Sequence, residues 1–326
     1  MSGNIWVAVE HWRGQLSEIN FELLALGREL AEALGVRLEA VLLGVNVRPL
    51  AAQLGAADAV LHAEHPALAE PSIEACADAL AELAATRTPR LVMVPLTNVS
   101  LGLGTILAER LNWTPVNFCK NVRVSDGTLV SESVLYGGKM EVSVTLPGRA
   151  VLGVWPGSRP PEKGKSEQAP VIEDVRLDLK EPPRARFLRY LEPEAGDVDI
   201  SQQEVLVAVG RGIQSRENIE LAEELARELG GAVCGSRPVI DQNWLPLSRQ
   251  VGKSGVLVKP KLYLAVGISG APEHVEGVRG AELIVAVNTD AQAPIFDVAH
   301  YGVIADALDF LPALTEVVRN KKQQKG

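Results

Sequence analysis

Val205-Leu206-Val207-Ala208-Val209 runs straight into Gly210-Arg211-Gly212-Ile213-Gln214-Ser215, and a helix pattern opens near Glu217. A short apolar run bounded by glycine reads as a buried strand. A glycine turn leading into a helix suits an anion, because the first helical amides are unpaired and lie at the positive end of the helix dipole. The turn fits the dinucleotide fingerprint in part. Gly210 and Gly212 keep its spacing, and Ser215 stands where a third glycine would be. A tight structural turn would account for one such segment equally well. Two more stretches share its character: Arg249-Gln250-Val251-Gly252-Lys253-Ser254-Gly255 and Val266-Gly267-Ile268-Ser269-Gly270-Ala271-Pro272-Glu273-His274. Glycines without a Cβ, small hydroxyls and one imidazole let a backbone approach a ligand closely. Three such turns in one region are harder to explain as structure alone.

Outward from this core, strands and helices alternate. Expected strands are Val205–Val209, Ala232–Cys234, Leu262–Val266 and Leu283–Val287, with helices over Glu217–Leu229 and Asp306–Val318. The basic end, Arg319 to Gly326, reads as a solvated tail. Upstream, strands at Ile5–Val9, Leu38–Leu43, Ala59–Leu61 and Leu91–Val94 alternate with a helix capped by Ser17, a helix from about Ser72 to Ala85 and a helix over Gly104–Leu111. From Pro115 to Val154 the pattern changes to antiparallel alternation, turned at Ser125-Asp126-Gly127 and at Gly137-Gly138. Trp155–Ala169 is rich in Pro, Gly, Lys and Glu and reads as a surface linker, while Val171–Leu179 alternates again and suits a return to the first sheet. The loop Pro95–Gly104, with Thr97, Asn98 and Ser100, reads as an ordinary turn or a subunit contact ahead of a ligand site.

The expected fold class is α/β with two domains, each a mostly parallel sheet flanked by helices. Residues 1–196 form a nucleotide-binding-like N-terminal domain with an antiparallel β extension, and residues 197–326 a Rossmann-like domain, divided in the proline-bearing stretch Glu181–Gly196.

The 326 residues agree with two domains, and 47% hydrophobic content supplies large cores. A net charge of −9 argues against a nucleic-acid protein, which would carry a basic face. Cys76, Cys119 and Cys234 are scattered, so neither zinc nor an iron–sulfur cluster is expected, and a reducing compartment is. No apolar run approaches the ~20 residues that span a bilayer, and no export signal opens the chain. The expectation is a cytoplasmic protein.

Six motifs appear in fixed order: Gly210-Arg211-Gly212, Ser236-Arg237-Pro238, Gln250 to Gly255, Val266 to Ala271, Ala293-Pro294-Ile295-Phe296 and His300-Tyr301-Gly302. In combination the chain resembles the electron transfer flavoprotein alpha subunit, and the C-terminal third resembles its FAD-binding domain. The resemblance implies noncovalent FAD held by Arg211, Ser236, Arg237, Gln250, Val251, Gly252, Lys253, Ser254, Gly267, Ser269, Gly270, Ala271, Pro272, Glu273, His274, Asn288, Asp306 and Ala307. A guanidinium fork at Arg211 suits a phosphate. Arg237 would stand beside the isoalloxazine and stabilise the charge of the reduced ring. Ser254 keeps a hydroxyl for flavin N5, and His274 would donate to C2=O. Asn288, Asp306 and Ala307 would meet the adenosine end. Lys253 replaces the family's amide, and three roles stay open for it: phosphate contact, flavin tuning or a solvent face. Pro272-Glu273 replaces the family's common Ile-Gln. Pro272 suits the first turn of a helix.

Neither a nucleophile elbow nor a P-loop is present, which favours an electron carrier over an enzyme with covalent or acid–base chemistry. The implied function is the alpha half of a heterodimer with an electron transfer flavoprotein beta subunit. It would take electrons from flavin dehydrogenases, such as an acyl-CoA dehydrogenase of fatty acid beta-oxidation, and pass them to a quinone oxidoreductase. Two other readings stand beside it. One is an electron-bifurcating or nitrogen-fixation-type relative. The other is a non-redox nucleotide-binding scaffold.

Overall fold

A computed structural model describes residues 3–70, 72–136, 139–179, 187–190 and 198–324. The chain divides into two compact units, residues 1–189 and 190–326. The expected boundary at residue 196, and the Gly137-Gly138 turn, lie outside the described residues.

In the first unit β1 (Ile5–Ala8) is followed by a small hairpin of β2 (His11–Trp12) and β3 (Gln15–Leu16). Then come α1 (Ile19–Leu34), β4 (Leu38–Gly44), β5 (Ala59–Glu64), α2 (Ile73–Arg87), β6 (Leu91–Pro95) and α3 (Leu103–Leu111). β7 (Thr114–Ser125), β8 (Thr128–Leu135), β9 (Met140–Leu146), β10 (Ala150–Val154) and β11 (Val171–Asp174) complete it. The sheet order is β11-β5-β4-β1-β6-β10-β7-β8-β9. Its strands are parallel from β11 to β7, and β8 and β9 add an antiparallel extension.

β1 shows why the sheet is sandwiched. Alternate side chains leave opposite faces of a strand. Ile5 and Val7 join a core containing Leu23, Leu26 and Leu30 of α1, while Trp6 and Ala8 join a second core with Leu80 of α2 and Leu107 of α3. Both faces are therefore apolar and covered, as parallel sheets require. Buried Glu39 is satisfied: it accepts hydrogen bonds from Trp6 Nε1 at 2.6 Å and Asn4 Nδ2 at 2.8 Å.

Two sequence expectations need correction here. Ser17 does not cap α1. Glu18 holds the cap position without a side-chain capping bond, and Ser17 instead gives its carbonyl to Asn20 Nδ2 at 2.8 Å. Trp155–Ala169 is packed rather than a free linker. Buried Glu22 of α1 accepts from the main-chain amides of Gly157 at 2.6 Å and Ser158 at 2.9 Å. Arg159 forks onto Glu29, and a Cβ on Gly164 would stand 1.8 Å from the Phe21 carbonyl oxygen. Proline and glycine there serve close approach to α1, not mobility. In the loop expected to be an ordinary turn, the hydroxyls of Thr97 and Ser100 are used inside the protein. Both meet the buried Glu10 carboxylate, Ser100 at 2.7 Å, which makes Pro95–Gly104 a locked turn.

β11 closes the open edge of β5, and its own side chains are largely exposed. Charge holds it: Asp174 pairs with Arg48 and with His62 Nδ1, and Glu173 pairs with Arg87.

The second unit runs β12 (Val205–Val209), α4 (Ile219–Leu229), β13 (Ala232–Gly235), α5 (Arg237–Asp241), β14 (Leu262–Val266), α6 (Pro272–Val278), β15 (Ile284–Asn288), β16 (Tyr301–Ile304) and α7 (Ala307–Gln323). Its five strands are parallel in the order β13-β12-β14-β15-β16. Leu206 and Ala208 face a core with Val278, and Val207 and Val209 face a core with Leu225 of α4 and Leu311 of α7. The basic end is not a tail. α7 continues to Gln323, and Arg319 bonds Glu224 at 2.6 Å and Glu228 at 2.7 Å on α4. A composition rich in Lys and Arg hid a helix whose charges pair with its neighbour.

Candidate nucleotide-binding edge of the second unit

In an open parallel sheet, ligands bind beyond the carboxyl ends of the strands, at the place where the strand order reverses. Here the reversal lies between β12 and β14. The register Val209↔Val266 and Val209↔Gly235 brings three strand ends level, and Val266↔Val287 and Asn288↔Ile304 extend the same edge. Every turn picked out in the sequence leaves from this edge or packs against it.

The turns on either side of the reversal touch backbone to backbone. Gly210 and Gly212 donate their amides to the carbonyls of Val266 and Gly267 at 2.9 and 3.0 Å. A Cβ on Gly210 would meet the Gly267 oxygen at 2.2 Å, so these glycines serve close approach between turns. Arg211 is exposed on this surface, and Gln214 reaches Asp306 at 3.3 Å.

Ser236 is not the end of a strand. β13 stops at Gly235, and Ser236 is the buried residue that starts α5. Arg237 lies on that helix with its side chain 70% exposed, 3.4 Å from Asp241 one turn on. Such a pair is weak in water and leaves the guanidinium accessible.

The loop 250–255 is stitched to the sheet on one side and to α6 on the other. Val251 donates to Gly235, Lys253 donates to the Glu273 carbonyl at 2.7 Å, and Gln250 Nε2 donates to Ser254 Oγ at 3.0 Å. Gly252 has φ +142°, and Gly277 packs against it so tightly that a Cβ there would lie 2.5 Å from Gly252 Cα. Lys253, Ser254, Ser269, Ala271, Pro272 and Glu273 are exposed, while Gln250, Val251 and Gly270 are buried. Pro272 takes the first turn of α6, where its missing amide costs nothing.

Asn288 is the last residue of β15, not the turn after it. Its Nδ2 donates to the Ile268 carbonyl at 2.9 Å, which ties β15 to the Gly267–Gly270 turn. Asp306 caps α7 by accepting from the Leu308 amide at 2.8 Å, and Ala307 is buried behind it. Both polar side chains thus have structural partners.

His274 differs from the rest. It is only 6% exposed, and its Nε2 lies 2.9 Å from the Tyr263 hydroxyl. Its buried Nδ1 makes no hydrogen bond of full geometry inside the protein, and the Val251 main chain is only a weak partner for the ring. Burial drives its pKa down from 6.5 to about 4, against a smaller upward pull from the Val251 main chain, so the ring is neutral at pH 7. A buried nitrogen without a full hydrogen bond costs stability unless something outside the chain satisfies it. Tyr263 carried no sequence signal beyond being the one polar-tipped residue in the apolar run Leu262–Val266.

Exposed cations, hydroxyls and one neutral imidazole along a doubly wound sheet edge define a protein of the nucleotide-cofactor-binding class. Residues 199–279 match the electron transfer flavoprotein FAD-binding domain, and residues 5–178 match the electron transfer flavoprotein domain. The chain belongs to the electron transfer flavoprotein alpha-subunit family, and FAD is the cofactor of its matched C-terminal domain. It is 37% identical over 318 residues to Protein FixB of Clostridium saccharobutylicum, covering 95% of this chain and 94% of the relative. It is 35% identical over 342 residues to Protein FixB of Rhizobium meliloti, covering 99% and 95%. It is 33% identical over 324 residues to the electron transfer flavoprotein subunit alpha of Clostridium acetobutylicum, covering 97% and 96%. Asn288, Asp306 and Ala307 lie beyond the matched stretch. No helix among the described residues is long and apolar enough to cross a membrane.

Proposed function

We propose that this chain is the FAD-binding alpha subunit of a heterodimer with an electron transfer flavoprotein beta subunit. In this reading it works in the cytoplasm, takes electrons from flavin dehydrogenases such as an acyl-CoA dehydrogenase, and passes them to a quinone oxidoreductase. The observation that carries the reading is the buried Nδ1 of His274 beside the 250–255 loop, which makes no full hydrogen bond inside the protein. A neutral donor aimed at a carbonyl or ring nitrogen fits a flavin, since burying a cationic donor there would cost far more.

FAD when bound supplies the one- and two-electron redox chemistry. The chain binds and biases it. Arg211 and the Gly267–Ala271 turn hold phosphate oxygens, with Pro272 starting the helix behind them. Gln250, Val251, Gly252 and Ser254 shape the ring pocket, and Lys253 adds charge at its rim. Ser236 and Arg237 face the ring edge, where the exposed guanidinium favours the anionic reduced states. Glu273 lies in the same row as a carboxylate, so it tunes that charge in the opposite direction. Asn288, Asp306 and Ala307 line the adenosine end.

The two relatives named FixB favour a second reading, a nitrogen-fixation-type or bifurcating pair with different donors and acceptors. Co-expression with the beta chain tests both. A yellow heterodimer with one FAD per alpha chain is expected. A colourless, folded heterodimer that takes up no added FAD would overturn the assignment. FAD in place of AMP in the beta chain would move the reading to the bifurcating type.

A further inference from the structure

Beneath the candidate flavin loop lies a buried polar chain that the family assignment does not use. Leu206 pairs with Tyr263 and Ala208 with Cys234 in register, so Tyr263 and Cys234 share one sheet face. The Tyr263 hydroxyl lies 2.9 Å from His274 Nε2, and the Cys234 thiol, on the same face, is its second and weaker neighbour. Tyr263 and Cys234 are both fully buried.

The proton positions follow from acceptor strength. A phenol has one proton to give, and its neighbours are a thiol and an imidazole nitrogen. The nitrogen is the stronger acceptor and sulfur the weaker. With both acceptors in reach, the phenol O–H therefore points to Nε2. A neutral imidazole carries one proton, so that proton must sit on Nδ1. Nδ1 is the atom left without a full hydrogen bond, with only the Val251 main chain as a weak partner for the ring. In the opposite arrangement Nε2–H would donate to the phenol and Nδ1 would be a bare buried acceptor, with the phenol proton spent on sulfur.

We propose that Tyr263 is a positioning residue that fixes His274 as the Nδ1–H tautomer and so holds a hydrogen-bond donor ready for an acceptor atom of the bound flavin ring. The proposal rests on the reading that His274 faces that ring. The device works before any ligand arrives, because the tautomer is set from inside the core. Its benefit is a population effect: without Tyr263 only a fraction of molecules would present Nδ1–H, and affinity falls by that fraction.

The test is 15N NMR of histidine-labelled full-length protein, stripped of flavin, with the His274 signals assigned by their loss in His274→Asn. Wild type should show a protonated Nδ1 and an unprotonated Nε2. Tyr263→Phe should shift both nitrogens toward a mixed population. If roughly a fifth of molecules then present Nδ1–H, the FAD dissociation constant rises about fivefold. A purely structural tyrosine would lower stability without moving the tautomer. An Nε2–H tautomer in wild type, or an unchanged Nδ1–H signal in Tyr263→Phe, overturns the proposal.

A second comparison does not require Tyr263→Phe to fold. The Asn amide nitrogen mimics Nδ1 and the Gln amide nitrogen mimics Nε2, so His274→Asn should bind FAD more tightly than His274→Gln. The reverse order overturns the proposal. Failure of the functional reading looks different: wild type would bind no FAD while its tautomer signal remained as expected.

Discussion

Gly267→Ala should cost more than the backbone conformation alone explains. Gly267 has φ +64°, and a Cβ there would stand 2.7 Å from Gly212 Cα and 2.9 Å from Gly212 C. Gly230, which ends α4 in the same unit, has φ +72° and nothing within 4 Å of an added Cβ. A left-handed conformation costs a non-glycine residue roughly 1–2 kcal/mol, and that is the whole expected cost of Gly230→Ala. At Gly267 the same strain applies, and the two turns must also separate, as in overpacking, for roughly 1–3 kcal/mol more. The total is about 2–5 kcal/mol. The two units need not unfold together, so a single melting curve is ambiguous. Native-state hydrogen exchange at β12 and β14 amides reads the second unit by itself. FAD affinity should fall with Gly267→Ala and hold in Gly230→Ala. Equal destabilisation by the two substitutions would refute the argument that the glycines exist for contact between the turns.

Two other outcomes follow from the described contacts. Burial holds the His274 pKa near 4 against 6.5 in the unfolded chain, so the unfolded state binds the extra proton between these values. The resulting stability is present above about pH 6.5 and lost as pH falls toward 4, by about 3 kcal/mol, and hydrogen exchange of the second unit across that window in His274→Gln should lack this slope. Arg319→Ala breaks the α7–α4 ion pairs, whose Arg side chain is 44% exposed. The expected loss is small in low salt and smaller still in strong salt, measured by urea unfolding.

Periodicity made the second unit legible. Val205–Val209 and Leu262–Val266 appear at the positions read from the sequence, because a parallel strand buried on both faces is a continuous apolar run. The glycine turns were legible for a related reason, since each needs either a positive φ or contact that a Cβ would block. What sequence hid were partnerships between distant residues. Trp155–Ala169 looks like a linker until Glu22, more than a hundred residues away, is seen holding its amides. Arg319 looks solvated until Glu224 and Glu228 are placed beside it. Tyr263 looks like one more core residue, because nothing in a sequence of five strand residues says which side chain an imidazole eleven positions later will meet.

The attachment of β11 has a consequence for handling the protein. Five of the six residues of β5 are buried, and β11 is what separates its outer backbone edge from water. Val171 is 65% exposed, so burial of β11 adds little, and Arg48, His62 and Arg87 on Asp174 and Glu173 supply the grip. Arg48 and then His62 hold the Asp174 carboxyl below its usual 3.8. That contribution is present at neutral pH and lost as pH falls below 3.8. Strong salt weakens all these exposed pairs. A loosened β11 would leave an apolar strand with a row of unpaired amides and carbonyls, a template for a second chain. Shelf life in acid or in high-salt precipitants is therefore governed by a handful of charges at one sheet edge, and storage near neutral pH at modest ionic strength keeps that edge sealed.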